Sequence, residues 1–302
     1  MRVLHSSGYQ NLITRTHADL NLTEQTEVAR FFKNERPEIV IVAAGRVGGI
    51  LANQDEPAQF IYENAAIATN IIHAAHLAQV SKLLYLGSSC IYPKEAPVPI
   101  REQTLLSGPL ETSNQWYACA KILGIKLCQA YREQFGCDFV AAMPTNLYGP
   151  NDTYSNYRSH VLPGLLQRIH LARANNDPQV TCWGTGNPRR EFLYVDDLAS
   201  ACIKILQDDS DHDIINVGSG QDLPIRDLAE SVCRVVGYRG KLTWDLSKPD
   251  GTFQKLLDSN KIRSLGWKPE TPLEEGLEKT YRDFLKTTRG ENAFEIITQT
   301  EP

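Results

Sequence analysis

Apolar and polar positions follow two alternating periods along this chain. Glu38–Ala44 (EIVIVAA), Lys82–Gly87 (KLLYLG) and Asp138–Met143 (DFVAAM) are short continuous apolar runs, the pattern of strands buried on both faces. Long stretches with helical spacing separate them. Pro57–Ala78 sets Ile61, Ile67, Ile71, Ile72 and Ala75 at apolar positions, and Asn114–Phe135 is a second such stretch. Upstream, Gln10–Thr14 reads as a short strand and Thr23–Asn34 as a helix. The alternation predicts an α/β protein built on a doubly wound parallel sheet with helices on both faces.

The second half is less regular. Helices are expected at Ser159–Arg173, at Val195–Leu206 with Asp196 or Asp197 as N-cap, at Pro224–Val236 with proline at its start, and at Pro272–Lys286. Strands are expected at Gln179–Trp183, Ile214–Val217 and Lys241–Trp244. The tail from Thr287 is polar and weakly patterned, so disorder is expected there.

Composition narrows the class. At 302 residues the chain can bury a substantial core as one large domain or two smaller ones. With 42% hydrophobic and 22% charged residues it reads as soluble and globular. A net charge of −5 argues against a protein that binds nucleic acid backbones. The seven cysteines form no CxxC pair and no close Cys/His cluster, so no metal site and a reducing cytoplasm are expected. No basic start followed by an apolar run, and no run of about 20 apolar residues, suggests a signal peptide or a membrane span.

A dinucleotide-binding unit opens with a strand, a G-x-G-x-x-G turn and a helix. Met1–Leu4 imitates such a strand. It lies too close to Gln10–Thr14, however, because a parallel crossover needs about a dozen residues or more. Met1–Ser6 therefore reads as the tail of a helix ending near Gly8, and the first strand with its glycine loop is expected upstream of Met1. Either the start is placed too late, or the chain is a truncation with impaired cofactor binding.

The strongest chemical signal is Tyr117-Ala-Cys-Ala-Lys121. Tyrosine and lysine four apart share one helix face, and a nearby ammonium is expected to lower the phenol pKa and make it a usable acid or base. Taken alone, YxxxK is equally an exposed helix pair. Its context adds weight. A buried strand runs into Gly87-Ser88-Ser89-Cys90-Ile91-Tyr92, so Ser88 falls at a C-terminal strand end, where α/β proteins bind ligands. Met143-Pro144-Thr145-Asn146-Leu147-Tyr148-Gly149-Pro150 ends the next strand in the same way. Ser, Tyr and Lys in this order match the short-chain dehydrogenase triad.

The runs AAGRVGGI, GSSCIYPK, MPTNLYGP, SHVLPGLLQR, REFLYVDD, INVGSG and SKPDG occur in that order. Together they resemble the GDP-L-fucose synthase family, dual-function epimerase/reductases of the extended short-chain dehydrogenase/reductase class. The resemblance extends from about Met1 to about residue 286. It implies a Rossmann-type dinucleotide-binding domain over residues 1–158 and about 192–218. A smaller mixed α/β substrate domain would span 159–191 and 219–288, followed by a disordered tail over 289–302.

The implied reaction is epimerisation of GDP-4-keto-6-deoxy-D-mannose at C3 and C5, then reduction at C4 by NADPH to GDP-L-fucose. Tyr117 would donate a proton to the C4 oxygen, assisted by Lys121 and Ser88. Cys90 and His160 match the family's acid/base pair; taken alone, each is an ordinary core or capping residue. Implied cofactor contacts are Leu86, Gly87, Ser88, Ser89, Lys121, Pro144, Thr145, Asn146, Leu147, His160 and Arg15. Implied substrate contacts are Arg168, Trp183, Arg190 and Asp250. Where the family carries a further arginine for the adenosine 2′-phosphate this chain has His17, which leaves NADPH preference less secured. Family members form homodimers through helices like Pro57–Ala78 and Asn114–Phe135. Two alternatives stand beside this reading: a sister sugar-nucleotide epimerase or dehydratase, and a non-catalytic relative kept as a binding or dimerisation partner.

Overall fold

A computed structural model of the chain describes residues 1–155, 159–248 and 250–290. The first half comprises α1 (Arg2–Ser6), α2 (Gln25–Glu35), β1 (Ile39–Val42), α3 (Ile50–Asp55), α4 (Pro57–Leu77), β2 (Lys82–Leu86), α5 (Gln115–Phe135), β3 (Phe139–Pro144) and β4 (Asn146–Tyr148). There follow α6 (Val161–Asn175), β5 (Gln179–Trp183), β6 (Arg189–Tyr194), α7 (Val195–Leu206), β7 (Ile214–Val217), β8 (Asp222–Pro224) and α8 (Ile225–Val236). The remaining elements are β9 (Lys241–Asp245), β10 (Gln254–Lys255), α9 (Asn260–Ser264) and α10 (Leu273–Gly290).

The main sheet has the order β1-β2-β3-β7 with every pair parallel. Alternation along each strand sends side chains to opposite faces. Leu83, Tyr85, Phe139, Ala141 and Met143 meet α2, α4 and α5 on one face, through Val28, Phe32, Ile71, Ile72 and Ile125. Leu84, Val140 and Ala142 meet Leu198, Ala201, Cys202 and Ile205 of α7 on the other. This is the expected α/β layering with helices on both sides. A third cluster joins α6, α8 and α10 to the parallel pair β5 and β9.

Several expectations need correction. Gln10–Thr14 is not a strand: no described segment pairs with it, and Ile13 is exposed. An extended segment becomes a strand only when a neighbour takes its backbone groups. The run Glu38–Ala44 is not buried on both faces either. β1 pairs with β2 alone among the described residues, and Ile39 is 46% exposed. Neither Asp196 nor Asp197 caps α7, because β6 runs directly into the helix and Tyr194 takes the cap position. The two carboxylates fall in the first turn instead, where the helix dipole favours them. The closing helix continues past Lys286 to Gly290. The expected disorder of the tail beyond Gly290 lies outside the described residues.

The packing of α5 on β2 sets the position of the site. Ala118, Lys121, Ile122, Gly124, Ile125 and Cys128 form its buried face. Gly124 lies so close to Tyr85 that an added Cβ would collide with the ring. We expect Gly124→Ala to destabilise the fold by about 1–3 kcal/mol, as overpacked sites do. Urea unfolding checks this, and an unchanged midpoint would refute the close approach.

Candidate active site

The predicted residues gather where β2 and β3 end. Gly87 is squeezed against Met143, whose sulfur an added Cβ would strike. Ser88 follows in an extended conformation, and its Oγ accepts from the Cys90 amide at 3.2 Å. A short 3₁₀ turn, Ser89–Ile91, then buries Ser89 and leaves Cys90 half-buried. Tyr117 lies in the first turn of α5 and hydrogen-bonds Ser88.

Lys121, one turn on, is buried and donates to the Leu86 carbonyl at 2.9 Å. Its Nζ lies 5.7 Å from the centre of the Tyr117 ring and 5.0 Å from that of Tyr85. Burial pushes the Lys121 ammonium down to about 8. Burial also pushes the Tyr117 phenol above its ordinary value, Cys90 adds to that rise, and the Ser88 hydrogen bond opposes it. The expected lowering of Tyr117 by its lysine is therefore overturned. The ammonium faces the ring and bonds a carbonyl, so desolvation prevails and Tyr117 keeps its proton.

His160 takes the N-cap position of α6, and its imidazole makes no side-chain hydrogen bond to the described residues. It reaches solvent, but the protein around it lowers its pKa through desolvation. No hydrogen bond or ring contact links it to Cys90 or Tyr117 among the described residues.

Arg190 projects from β6 into the neighbourhood of Cys90, Glu111 and Asp250, and burial lowers its pKa against their attraction. Asp250 accepts from the Thr185 amide and hydroxyl, both at 2.7 Å. Trp183 is exposed at the end of β5 with the Lys248 ammonium 5.6 Å from its ring centre. Arg168 is held along β5 by the Thr181 carbonyl at 3.1 Å.

Pro144–Leu147 carries the chain from the main sheet into β4. The Thr145 hydroxyl and the Asn146 amide both donate to the Glu191 carbonyl, at 3.1 and 2.9 Å. Arg15 is not brought to this cluster; it pairs with Glu35 and lies over Phe31 at 5.5 Å. A cavity of about 750 Å³ opens at the N-terminal ends of β3 and β7, beside Arg132, Asp138 and Asp211, and holds none of the predicted residues.

Three polar residues escaped sequence reasoning. Asn114 donates to the Cys90 sulfur at 3.2 Å. Glu111 links Lys94, 3.4 Å away, to the Thr252 hydroxyl at 3.3 Å. Asn64, buried in α4, bonds both backbone groups of Arg46 at 3.0 Å. Only Asn114 carried a signal, as an amide three residues before Tyr117.

Lys121 yields a stability prediction. Its ordinary value is 10.5, and the drop to about 8 corresponds to a folding penalty on the order of 3 kcal/mol. The penalty is complete below about pH 8 and shrinks as pH rises toward 10.5, because the unfolded chain then keeps a proton that the folded chain releases. Lys121→Met leaves the Leu86 carbonyl without its donor. It should still stabilise the fold by on the order of 2 kcal/mol at neutral pH, and by less in alkali. Denaturant melts at two pH values read this directly; a destabilised variant at neutral pH would contradict it.

Residues 1–218 match the NAD dependent epimerase/dehydratase family. The probable GDP-L-fucose synthase 1 of Oryza sativa subsp. japonica is 56% identical over 287 residues, covering 95% of this chain and 88% of the relative. The GDP-L-fucose synthase of Escherichia coli (strain K12) is 50% identical over 296 residues, covering 94% of this chain and 92% of the relative. Among solved structures, a GDP-L-fucose synthetase from Naegleria fowleri bound to NADP superposes with a TM-score of 0.88 at 26% identity, over 95% of this chain and 90% of that one. The sheet order, the Ser88–Tyr117–Lys121 arrangement and these likenesses agree: the chain belongs to the NAD dependent epimerase/dehydratase family and groups within it with the GDP-L-fucose synthases.

Proposed function

We propose that this chain catalyses the NADPH-dependent 3,5-epimerisation and 4-reduction of GDP-4-keto-6-deoxy-D-mannose to GDP-L-fucose. The observation that carries the reading is the convergence of a protonated Tyr117, Ser88 and buried Lys121 with Cys90 and Arg190 at one strand end.

The chemistry follows from the C4 ketone, which acidifies the protons at C3 and C5. A base takes the proton, and the C–H pair moves into an enolate. An acid on the other face returns a proton to the same carbon with inverted configuration. We assign Cys90 and His160 to these opposed roles. Tyr117, which keeps its proton, supplies the proton for the C4 oxygen, and Ser88 orients both hydroxyl and carbonyl. Arg190 and Arg168 suit a diphosphate, Trp183 a base or sugar face, and Asp250 a hydroxyl or amine donor.

The residues fit the nicotinamide end of the cofactor. The Lys121 ammonium has three donors and gives one to Leu86, so two remain for ligand hydroxyls. Gly87, Ser89 and Pro144–Leu147 border the same strand ends. A bound reduced nicotinamide supplies the hydride for C4. At the phosphate end, β1 runs through Gly45, Gly48 and Gly49 into α3, and this connection lacks the G-x-G-x-x-G spacing of a phosphate-binding turn. Arg15 would have to leave Glu35 to meet a 2′-phosphate.

We assign the smaller α/β unit, residues 159–191 and 219–288, to the sugar nucleotide. We also infer a homodimer through α4 and α5, whose outer faces expose Tyr62, Leu77, Trp116, Leu123 and Phe135. A cytoplasmic setting accords with seven free cysteines. No helix among the described residues is long and apolar enough to cross a membrane.

The decisive experiment separates the two half-reactions. In deuterated water the purified chain should place deuterium at C3 and C5 of the keto sugar. Cys90→Ser and His160→Gln should each slow that exchange roughly 10²-fold or more. Tyr117→Phe should leave exchange nearly intact and cut NADPH-linked reduction by about 10²–10⁴. Turnover of a UDP-sugar with no exchange in the GDP-keto sugar would remove the reading. For the dimer, light scattering should find two chains per particle, and Tyr62→Arg with Leu123→Arg should release monomers.

A further inference from the structure

Asn114 sits at the N-cap of α5, with φ −140° and ψ 18°. Asparagine is among the best N-caps because its side-chain oxygen can accept from the first free amides of a helix. Here that bond is not made. The side chain turns away, and Nδ2 donates to the Cys90 sulfur at 3.2 Å. Glu111 accepts from the Ser113 amide at 3.4 Å and so caps the preceding 3₁₀ turn, Thr112–Asn114, not α5. A favoured capping bond has been given up for a contact with one sulfur atom.

We infer that Asn114 is a positioning residue for Cys90 that fixes the sulfur toward the sugar and favours its anionic form during proton transfer. The inference rests on the proposed epimerase reading for the role of Cys90. In either direction of the step the sulfur passes between S–H and S⁻. As base, it gains the α-proton while the C–H pair enters the enolate; as acid, it returns a proton to that carbon and the enolate pair re-forms the C–H bond. An N–H aimed at sulfur stabilises the anionic end of both. The groups facing Cys90 are few. Ser88 meets its backbone amide, Tyr117 and Asn114 approach from the start of α5, and Arg190 approaches from β6 with Glu111 and Asp250 around its guanidinium. Asn114 is the one that hydrogen-bonds the sulfur among the described residues. Its Oδ1 is buried and has no partner among them, which leaves an acceptor to offer a sugar hydroxyl.

Alkylation by iodoacetamide, followed at each cysteine by mass spectrometry across neutral to alkaline pH, tests the contact without substrate or cofactor. Asn114→Ala should move the midpoint of the Cys90 profile up by about one pH unit, the size expected for losing a hydrogen bond to a charged group. Asn114→Asp, nearly isosteric but without the N–H and bearing a negative charge, should move it further. The profile of exposed Cys119, on the same helix, should not move. With the keto sugar, solvent exchange at C3 and C5 should slow roughly ten- to a hundred-fold in Asn114→Ala. Reduction of an already epimerised ketone should slow less than that exchange does. A Cys90 profile in Asn114→Ala that overlays the wild type, or a Cys119 profile that shifts equally, overturns the inference. If the wild type exchanges no deuterium, the functional reading fails, and the alkylation profiles still decide whether Asn114 governs Cys90.

Discussion

The burial of one ammonium group between α5 and β2 is the constraint on which the site depends. Lys121 could reach solvent from a helix packed at ordinary distance. Gly124, three residues on, lets α5 approach Tyr85 closely, and the lysine is shut in. Its charge is then met by the Leu86 carbonyl and by the faces of Tyr85 and Tyr117. The same helix turn that hides Lys121 brings Tyr117 to Ser88. The fold gives up stability at Lys121 to hold that geometry, the compromise common where activity needs a strained or desolvated group.

A second tie fixes the substrate side. β3 leaves the main sheet at Pro144, and Thr145 and Asn146 both bond the Glu191 carbonyl, fastening the two sheets together. The buried Glu191 carboxylate accepts from the Gly220 amide at 2.6 Å and the Leu257 amide at 3.0 Å, gathering two further loops. Since side chains alternate along a strand, Glu191 points inward where Arg190 points toward Cys90. The position of the guanidinium is thus a consequence of the carboxylate behind it.

These relations explain what could be read in advance. Buried strands such as Lys82–Leu86 and long amphipathic helices announce themselves, because one element's own pattern records its surroundings. Ser88, Tyr117 and Lys121 were legible for the same reason: a strand end and an i, i+4 pair are local. β6 was not, since Arg-Arg-Glu-Phe-Leu-Tyr neither alternates nor runs apolar; it becomes a strand through neighbours β4, β8 and β10. Gln10–Thr14 shows the converse, a strand-like sequence without a pairing partner among the described residues. Asn114 was hidden because an asparagine before a helix has an ordinary explanation, and only distance to sulfur displaces it. The direction of the Tyr117 shift was misread because spacing reports a neighbouring charge, while desolvation depends on everything else packed around the phenol.

Taken together, the shifts describe a site that resists charge. Burial raises the Tyr117 phenol and lowers the Lys121 ammonium, the His160 imidazole and the Arg190 guanidinium, so each is moved toward its neutral form. Enolate chemistry nonetheless requires negative charge to appear somewhere and then disappear. On the proposed reading one such place is the Cys90 sulfur, which has an amide N–H directed at it and a guanidinium nearby. The C4 oxygen, once the proton α to it is gone, is the other, and the retained proton of Tyr117 answers it. In the proposed mechanism epimerisation and reduction therefore need not share an acid: the sulfur would exchange protons at carbon, and the phenol would hold its proton in reserve for oxygen.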